Sequence, residues 1–313
     1  MVKRIVLGFF ASLLIGFIGA TIALKTVAPF QFEELSERFT LWRNGAKSFN
    51  YNSLRGFSVN HCAPSQPCTC VLMVHGMGDS LLTWKRILKK PASDWQKPLQ
   101  LIAIDLPGFG GNLKPQNPNQ DYRAKNLGLL VSQYIGTQNQ CENWLLVGNS
   151  FGCWVVSWAA LQAPANLNPK NTKLILLGSV GLKSNEPLLA QNKTQKIITV
   201  DDLKEFQQNA YCKPRTYDDD FWQKAIRRAH QSNTLAVRAA QTADDYLDSA
   251  LKSLKFKTTY YWGSCDKVVP KTTGQAFSKL TPLVLFETIQ ECGHMPQKEC
   301  VNSVAQILNQ QAQ

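Results

Sequence analysis

Histidine is scarce in this chain: 313 residues hold four, His61, His75, His230 and His294. Any chemistry that needs an imidazole base must draw on these. No glycine-rich loop that would cradle phosphate is present. Neither a strip of interleaved basic and aromatic residues nor a nucleic-acid motif appears, so nucleic-acid partners are set aside. Internal repeats are absent, which excludes a solenoid. Cysteine is not scarce, at nine, but zinc would need a second paired ligand set beside Cys62, Cys68 and Cys70, and none is visible. Acidic residues are outnumbered, 22 against 34 lysines and arginines, giving a formal charge of +12. The basic residues are scattered, as on a solvated surface; attraction to anionic membranes or acidic partners is the alternative.

The length suits one sizeable domain with an inserted module. At the N-terminus Lys3 and Arg4 precede Ile5 to Leu24, a run with no charged residue. About twenty apolar residues span a bilayer core, whereas a signal-peptide core is about 7–15 residues. Residues 1–24 are therefore read as a single-pass anchor, with Lys3 and Arg4 inside and the rest of the chain outside the cytoplasm. The small-x-small pattern Thr21-Ile22-Ala23 leaves open an alternative, export after signal cleavage. Residues 25–50 form a connector, helical in part from Gln31 to Phe39. An exported domain can close a small disulfide loop from Cys62 to either Cys68 or Cys70.

The most specific pattern is Gly148-Asn149-Ser150-Phe151-Gly152. The short apolar run Leu145-Leu146-Val147 precedes it, and the largely apolar helical stretch 153–162 follows. A sharp strand-to-helix turn here lifts the Ser150 hydroxyl above the sheet edge, with glycines leaving room for the turn. A serine hydroxyl needs a neighbouring base. His294 follows the apolar run 283–286 in a loop, and Asp266 follows the strand-like run 258–262. Ser150, Asp266 and His294 are thus candidates for nucleophile, orienting acid and base. The Phe151 N–H is one expected oxyanion donor. The Met77 N–H, in Val74-His75-Gly76-Met77-Gly78, is the other, with Gly76 the near alternative. His75 is read as a brace for that loop, His230 as solvated, and Asp105 as holding the loop Asp105-Leu106-Pro107-Gly108-Phe109-Gly110. Cys153 is read as a buried core residue. Cys265 and Cys292 lie near the acid and the base, and a disulfide between them would pin the two loops.

Taken in order, the His75 loop, the Asp105 loop, the turn at Ser150, Gly263 to Pro270 and Gly293-His294-Met295-Pro296 resemble the α/β-hydrolase fold. The resemblance covers residues 52–310 and is to the branch of serine esterases, lipases and meta-cleavage hydrolases. It implies a mostly parallel sheet flanked by helices, with a helical lid inserted before the last two strands. Residues 51–180 and 255–313 would be the core and 181–254 the lid. Ser150 in place of aspartate argues against the dehalogenases and epoxide hydrolases of this fold. The resemblance implies ester cleavage through an acyl-enzyme, without metal or organic cofactor, on a small-molecule or lipid ester. Carbon–carbon cleavage, acyl transfer and a non-enzymatic binding module are the alternatives.

Within that frame, strands are expected at 54–60, 101–105, 173–177, 258–262 and 283–286, and a loop at 112–122. Lid helices are expected at 201–211, 218–231 and 233–251, the second opened by Asp218, Asp219 and Asp220 at its positive end. Helices at 271–280 and 297–310 complete the chain. Leu188, Leu189, Phe206, Phe221 and Trp222 either line a pocket or pack the lid helices together.

Overall fold

Strands with no polar face must be covered on both sides, and this sheet is built around three of them. A computed structural model describes residues 29–63, 66, 68–113, 119–165, 167–185 and 199–313. Helix α1 (Pro29–Arg43) and strands β1 (Lys47–Tyr51) and β2 (Leu54–Asn60) lead into β3 (Cys68–Val74). A short helix α2 (Lys85–Leu88) precedes β4 (Leu99–Asp105). Helix α3 (Ala124–Gly136), strand β5 (Cys141–Asn149), helix α4 (Phe151–Leu161) and strand β6 (Thr172–Leu177) follow. Every residue of β3 and of β4 is buried, and β5 is buried from Trp144 onward.

The eight strands form one sheet in the order β1-β2-β4-β3-β5-β6-β7-β8, where β7 is Lys257–Gly263 and β8 is Val284–Ile289. Only β2 pairs antiparallel, with β1 and with β4; the other pairs are parallel. Leu72 is level with Ile102 on one side and Leu146 on the other, so the central strands end together. In open parallel sheets ligands sit beyond those carboxyl ends. Apolar clusters fill both faces: Leu127, Val131, Trp154 and Trp158 of α3 and α4 on one, and Trp84, Ile87, Val304 and Leu308 on the other.

Between β6 and β7 the described residues hold α5 (Val200–Ala210), α6 (Asp219–Gln231) and α7 (Thr234–Ala240). As expected from the aspartates, Asp218 caps α6, its carboxylate accepting from the Phe221 N–H at 2.8 Å. The helix expected to run on to Leu251 stops at Ala240. The cause is tertiary: the Asp245 carboxylate takes the Thr242 N–H and hydroxyl, both at 2.8 Å. Its carbonyl accepts both indole N–H groups of α4, Trp154 at 2.5 Å and Trp158 at 2.6 Å. The chain closes with α8 (Lys271–Leu280), α9 (Pro296–Glu299) and α10 (Val301–Gln311), so the terminal helix is broken at Cys300. The connector carries β1 in addition to its helix, which makes Leu54–Asn60 the second strand of the sheet.

The cysteines pair as Cys62–Cys68, Cys70–Cys141, Cys212–Cys265 and Cys292–Cys300, and Cys153 is free and buried. The expected Cys265–Cys292 disulfide is not formed. Those residues meet through the backbone, the Cys265 N–H donating to the Cys292 carbonyl at 2.9 Å, while each sulfur bonds another partner. Among the described residues no helix is long and apolar enough to cross a membrane. The run Ile5–Leu24, Leu188, Leu189 and residues 114–118 of the expected loop lie outside them.

Candidate active site

The turn after β5 is strained at Ser150, the expected nucleophile. Ser150 sits at φ 52°, ψ −117°, directly before α4. Such a conformation costs a non-glycine residue about 1–3 kcal/mol. It is held by the Ser150 N–H donating to the Leu177 carbonyl at 2.9 Å. Gly152 admits the helix to the sheet: a Cβ there would stand 2.4 Å from the Val74 carbonyl oxygen.

Asp266 and His294 arrive from the loops after β7 and β8. The His294 Nδ1 lies 2.8 Å from one Asp266 carboxylate oxygen. The other oxygen accepts the Val268 and Val269 N–H groups at 2.8 and 2.9 Å. Both residues are buried, His294 at 3% and Asp266 at 5% exposure, so water does not compete for these bonds. An acceptor-only carboxylate facing Nδ1 requires the proton on Nδ1, which leaves Nε2 as the basic nitrogen.

A cavity of about 740 Å³ joins Ser150 and His294 with Gly76, Met77 and Phe151. Its wall is mainly apolar, with Val180, Leu203, Phe206, Val268 and Met295. Asp266 stands behind His294, off the cavity. Phe206 lines the cavity as one of the five lid candidates, whereas Trp222 is buried against Phe221 and Tyr217. His230 is exposed, and it contributes to the cavity rim.

The braces read from sequence are in place. His75 is fully buried; its Nδ1 faces the Gly76 carbonyl at 2.7 Å and its Nε2 accepts the Leu106 N–H at 3.1 Å. Burial holds its pKa below the usual histidine value, so it stays neutral and keeps both bonds. Asp105 is likewise buried, accepting the Leu81 N–H at 2.7 Å, the Gly111 N–H at 3.0 Å and the Arg38 guanidinium of α1.

Four residues with a part in the geometry carry no motif that would single them out. Asn149 donates to the His294 carbonyl at 2.9 Å and the Leu177 carbonyl at 3.1 Å. Gln297 donates to the Asn149 side chain and to Thr83, both at 3.0 Å. Glu299 accepts three backbone N–H groups, from Gly293 at 2.8 Å, Lys213 at 2.9 Å and Cys212 at 3.2 Å. Gly178, at φ +59°, leaves no room for a Cβ, which would lie 3.0 Å from His294 Nδ1 and 3.1 Å from the Asp266 carboxylate. Only Asn149, inside the Gly148–Gly152 pattern, had any signal near it.

Three comparisons place this arrangement. The family profile described as "Alpha/beta hydrolase family" matches residues 71–306. Lipase 1 of Psychrobacter immobilis is 23% identical over 247 residues, covering 75% of this chain and 74% of that protein. A crystal structure of a membrane phospholipase A, titled a novel bacterial virulence factor, superposes with a TM-score of 0.71 at 19% identity. It covers 99% of this chain and 97% of its own. The 2-hydroxy-6-oxo-6-phenylhexa-2,4-dienoate hydrolase of Rhodococcus sp. strain RHA1 gives a TM-score of 0.63 at 20% identity, over 85% of this chain and 98% of its own. The chain belongs to the alpha/beta hydrolase family and is an enzyme of that fold.

Proposed function

We propose that this enzyme is a serine hydrolase that cleaves carboxylic esters of moderately hydrophobic acyl chains. The observation that carries the reading is His294, backed by buried Asp266 at 2.8 Å, on the same cavity as a strained serine at a helix N-terminus. Ser150 Oγ attacks the acyl carbonyl while His294 Nε2 takes its proton. The carbonyl oxygen becomes an oxyanion, held by the N–H groups of Phe151 and Met77. As the tetrahedral adduct collapses, the carbon–oxygen bond to the alcohol breaks and the imidazolium returns its proton to the alkoxide. Water, deprotonated by His294, then attacks the acyl-enzyme; the acid leaves and Ser150 regains its proton. Asp266 keeps the imidazole oriented and stabilises it when charged. The helices at 200–240 act as the lid, supplying apolar wall through Leu203 and Phe206 and shielding the reaction from water.

The paired cysteines accord with an oxidising compartment. We place the domain outside the cytoplasm, tethered by Ile5–Leu24; carbonate extraction of membranes carrying the full chain would release the protein if the tether reading were wrong.

The test of the chemistry is a chain-length series of p-nitrophenyl esters. Wild type should show an optimum at intermediate acyl length, and Ser150→Ala should abolish turnover while the protein stays folded. Undiminished turnover in that variant would sink the mechanism. If a vinylogous diketone were cleaved and the esters were not, the carbon–carbon alternative would stand instead.

A further inference from the structure

Helix α1 presents its apolar face to the wrong side. Leu35, Phe39 and Trp42, spaced four and three residues apart, are 59%, 54% and 59% exposed. The rings of Phe39 and Trp42 lie 5.5 Å apart. None of the three holds the helix to the protein. That is done by buried Leu41, by Arg38 on Asp105, and by Glu37 on Lys85 of α2 at 2.7 Å. Polar contacts thus fix α1 in place, and its apolar stripe is left uncovered.

The stripe lies on a helix that packs against the cavity wall. Helix α1 packs against α6. Seven large apolar side chains are exposed among the described residues, and five belong to α1, α6 and α7, the other two of these being Phe221 and Leu235. Leu235, on α7, also lines the cavity. Helix α6, against which α1 packs, and α7 both line the cavity, so the stripe sits on an element next to the wall of the proposed active site. Its occupant is constrained by what precedes it: the uncharged run ends at Leu24 and α1 begins at Pro29. Arg43 and Lys47 are exposed beside the stripe, on a chain of formal charge +12.

We propose that Leu35, Phe39 and Trp42 form an interfacial docking face for an anionic phospholipid surface, turning the cavity entrance toward the bilayer. Exposed apolar side chains of this kind anchor in the headgroup–acyl boundary, with aromatic rings at its depth. Basic residues at the edge add attraction to anionic headgroups. Docking is separate from the tether, because it orients the domain. It rests on the ester-hydrolase reading only for the choice of activity substrate.

The experiment uses the full chain in phosphatidylcholine vesicles with and without about a third phosphatidylglycerol, an anionic content in the range where basic surfaces respond. Lipids brominated near the headgroup quench tryptophan at that depth. Wild type should be quenched in the anionic vesicles, and Trp42→Phe should lose that component. The double variant Leu35→Glu, Phe39→Glu should turn over a vesicle-embedded ester about tenfold more slowly, as expected when interfacial apolar anchors are removed. Its rate on a water-soluble short ester should be unchanged, which also shows that it is folded. Equal quenching in wild type and Trp42→Phe, or a wild-type rate of the double variant on the embedded ester, would overturn the proposal. So would a dimer in solution that Phe39→Glu dissociates, since the face would then bind a second copy. Loss of the soluble-ester activity in wild type would instead count against the hydrolase reading, leaving the quenching result to decide docking.

Discussion

Asp266 divides its two oxygens between two jobs, and the division predicts how a conservative change fails. One oxygen takes two backbone N–H groups and the other faces His294 Nδ1. An asparagine would keep its carbonyl oxygen on the backbone donors and turn its amide donor toward the imidazole. The imidazole would then carry its proton on Nε2, the atom that takes the Ser150 proton in the proposed mechanism. Asp266→Asn should lower kcat about ten-thousandfold, as when a triad carboxylate is made an amide, with an unchanged circular dichroism spectrum. Gly178 is constrained from the same direction. A methyl group there would press on both His294 and Asp266, at a positive φ that favours glycine. Gly178→Ala should cost about 1–3 kcal/mol of stability, read by chemical denaturation, and lower kcat more than it alters KM.

Helices and loops act as units, and the unit that matters most is the pairing of α5 with the His294 loop. The His294 N–H donates to the Ala210 carbonyl at 2.7 Å, and Lys267 N–H to Asn209 at 3.0 Å. The Cys212–Cys265 disulfide and the Glu299 carboxylate complete the joint. Glu299→Gln replaces one acceptor by a donor that faces backbone N–H. Its expected effect is about a tenfold lower kcat, equivalent to one lost hydrogen bond of about 1.4 kcal/mol, with KM little changed; Glu299→Ala should be worse. A steady-state comparison on one p-nitrophenyl ester checks both. At this scale sequence reading was uneven. The bounds of β2 and α8 were read from sequence as the structure has them. The break after α7 was not, because it depends on the Asp245 carbonyl meeting two tryptophans of α4 far away in the chain.

Over the whole molecule, the ionisable groups that burial disturbs set a pH dependence of stability. Burial lowers the pKa of His75, and of half-buried His61 in the same sense. Such a group binds a proton in the unfolded chain at a pH where the folded protein stays neutral. Stability is therefore full above the unfolded histidine pKa of about 6.5 and falls as pH drops below it. Thermal denaturation between pH 7.5 and pH 5, values chosen to bracket that roughly 6.5 midpoint, should show Tm falling toward acid. His75→Gln should flatten the slope. A slope unchanged by that variant would assign the effect elsewhere.

Motifs with short-range causes were decided by sequence alone. The turn at Ser150 follows from glycines at fixed offsets behind an apolar run, and the parallel sheet from strands without a polar face. The His75 brace follows from a polar residue placed just beyond such a strand, and the Asp105 brace from the family resemblance of the loop that it opens. Tertiary structure alone decided which cysteines pair, because Cys265 and Cys292 meet by backbone while their sulfurs point to Cys212 and Cys300. It also decided that Asn149, Gln297, Gly178 and Glu299 support the site. Their partners lie up to 214 positions away, as for Gln297 and Thr83, and no local pattern encodes a contact made only when distant strand ends come together.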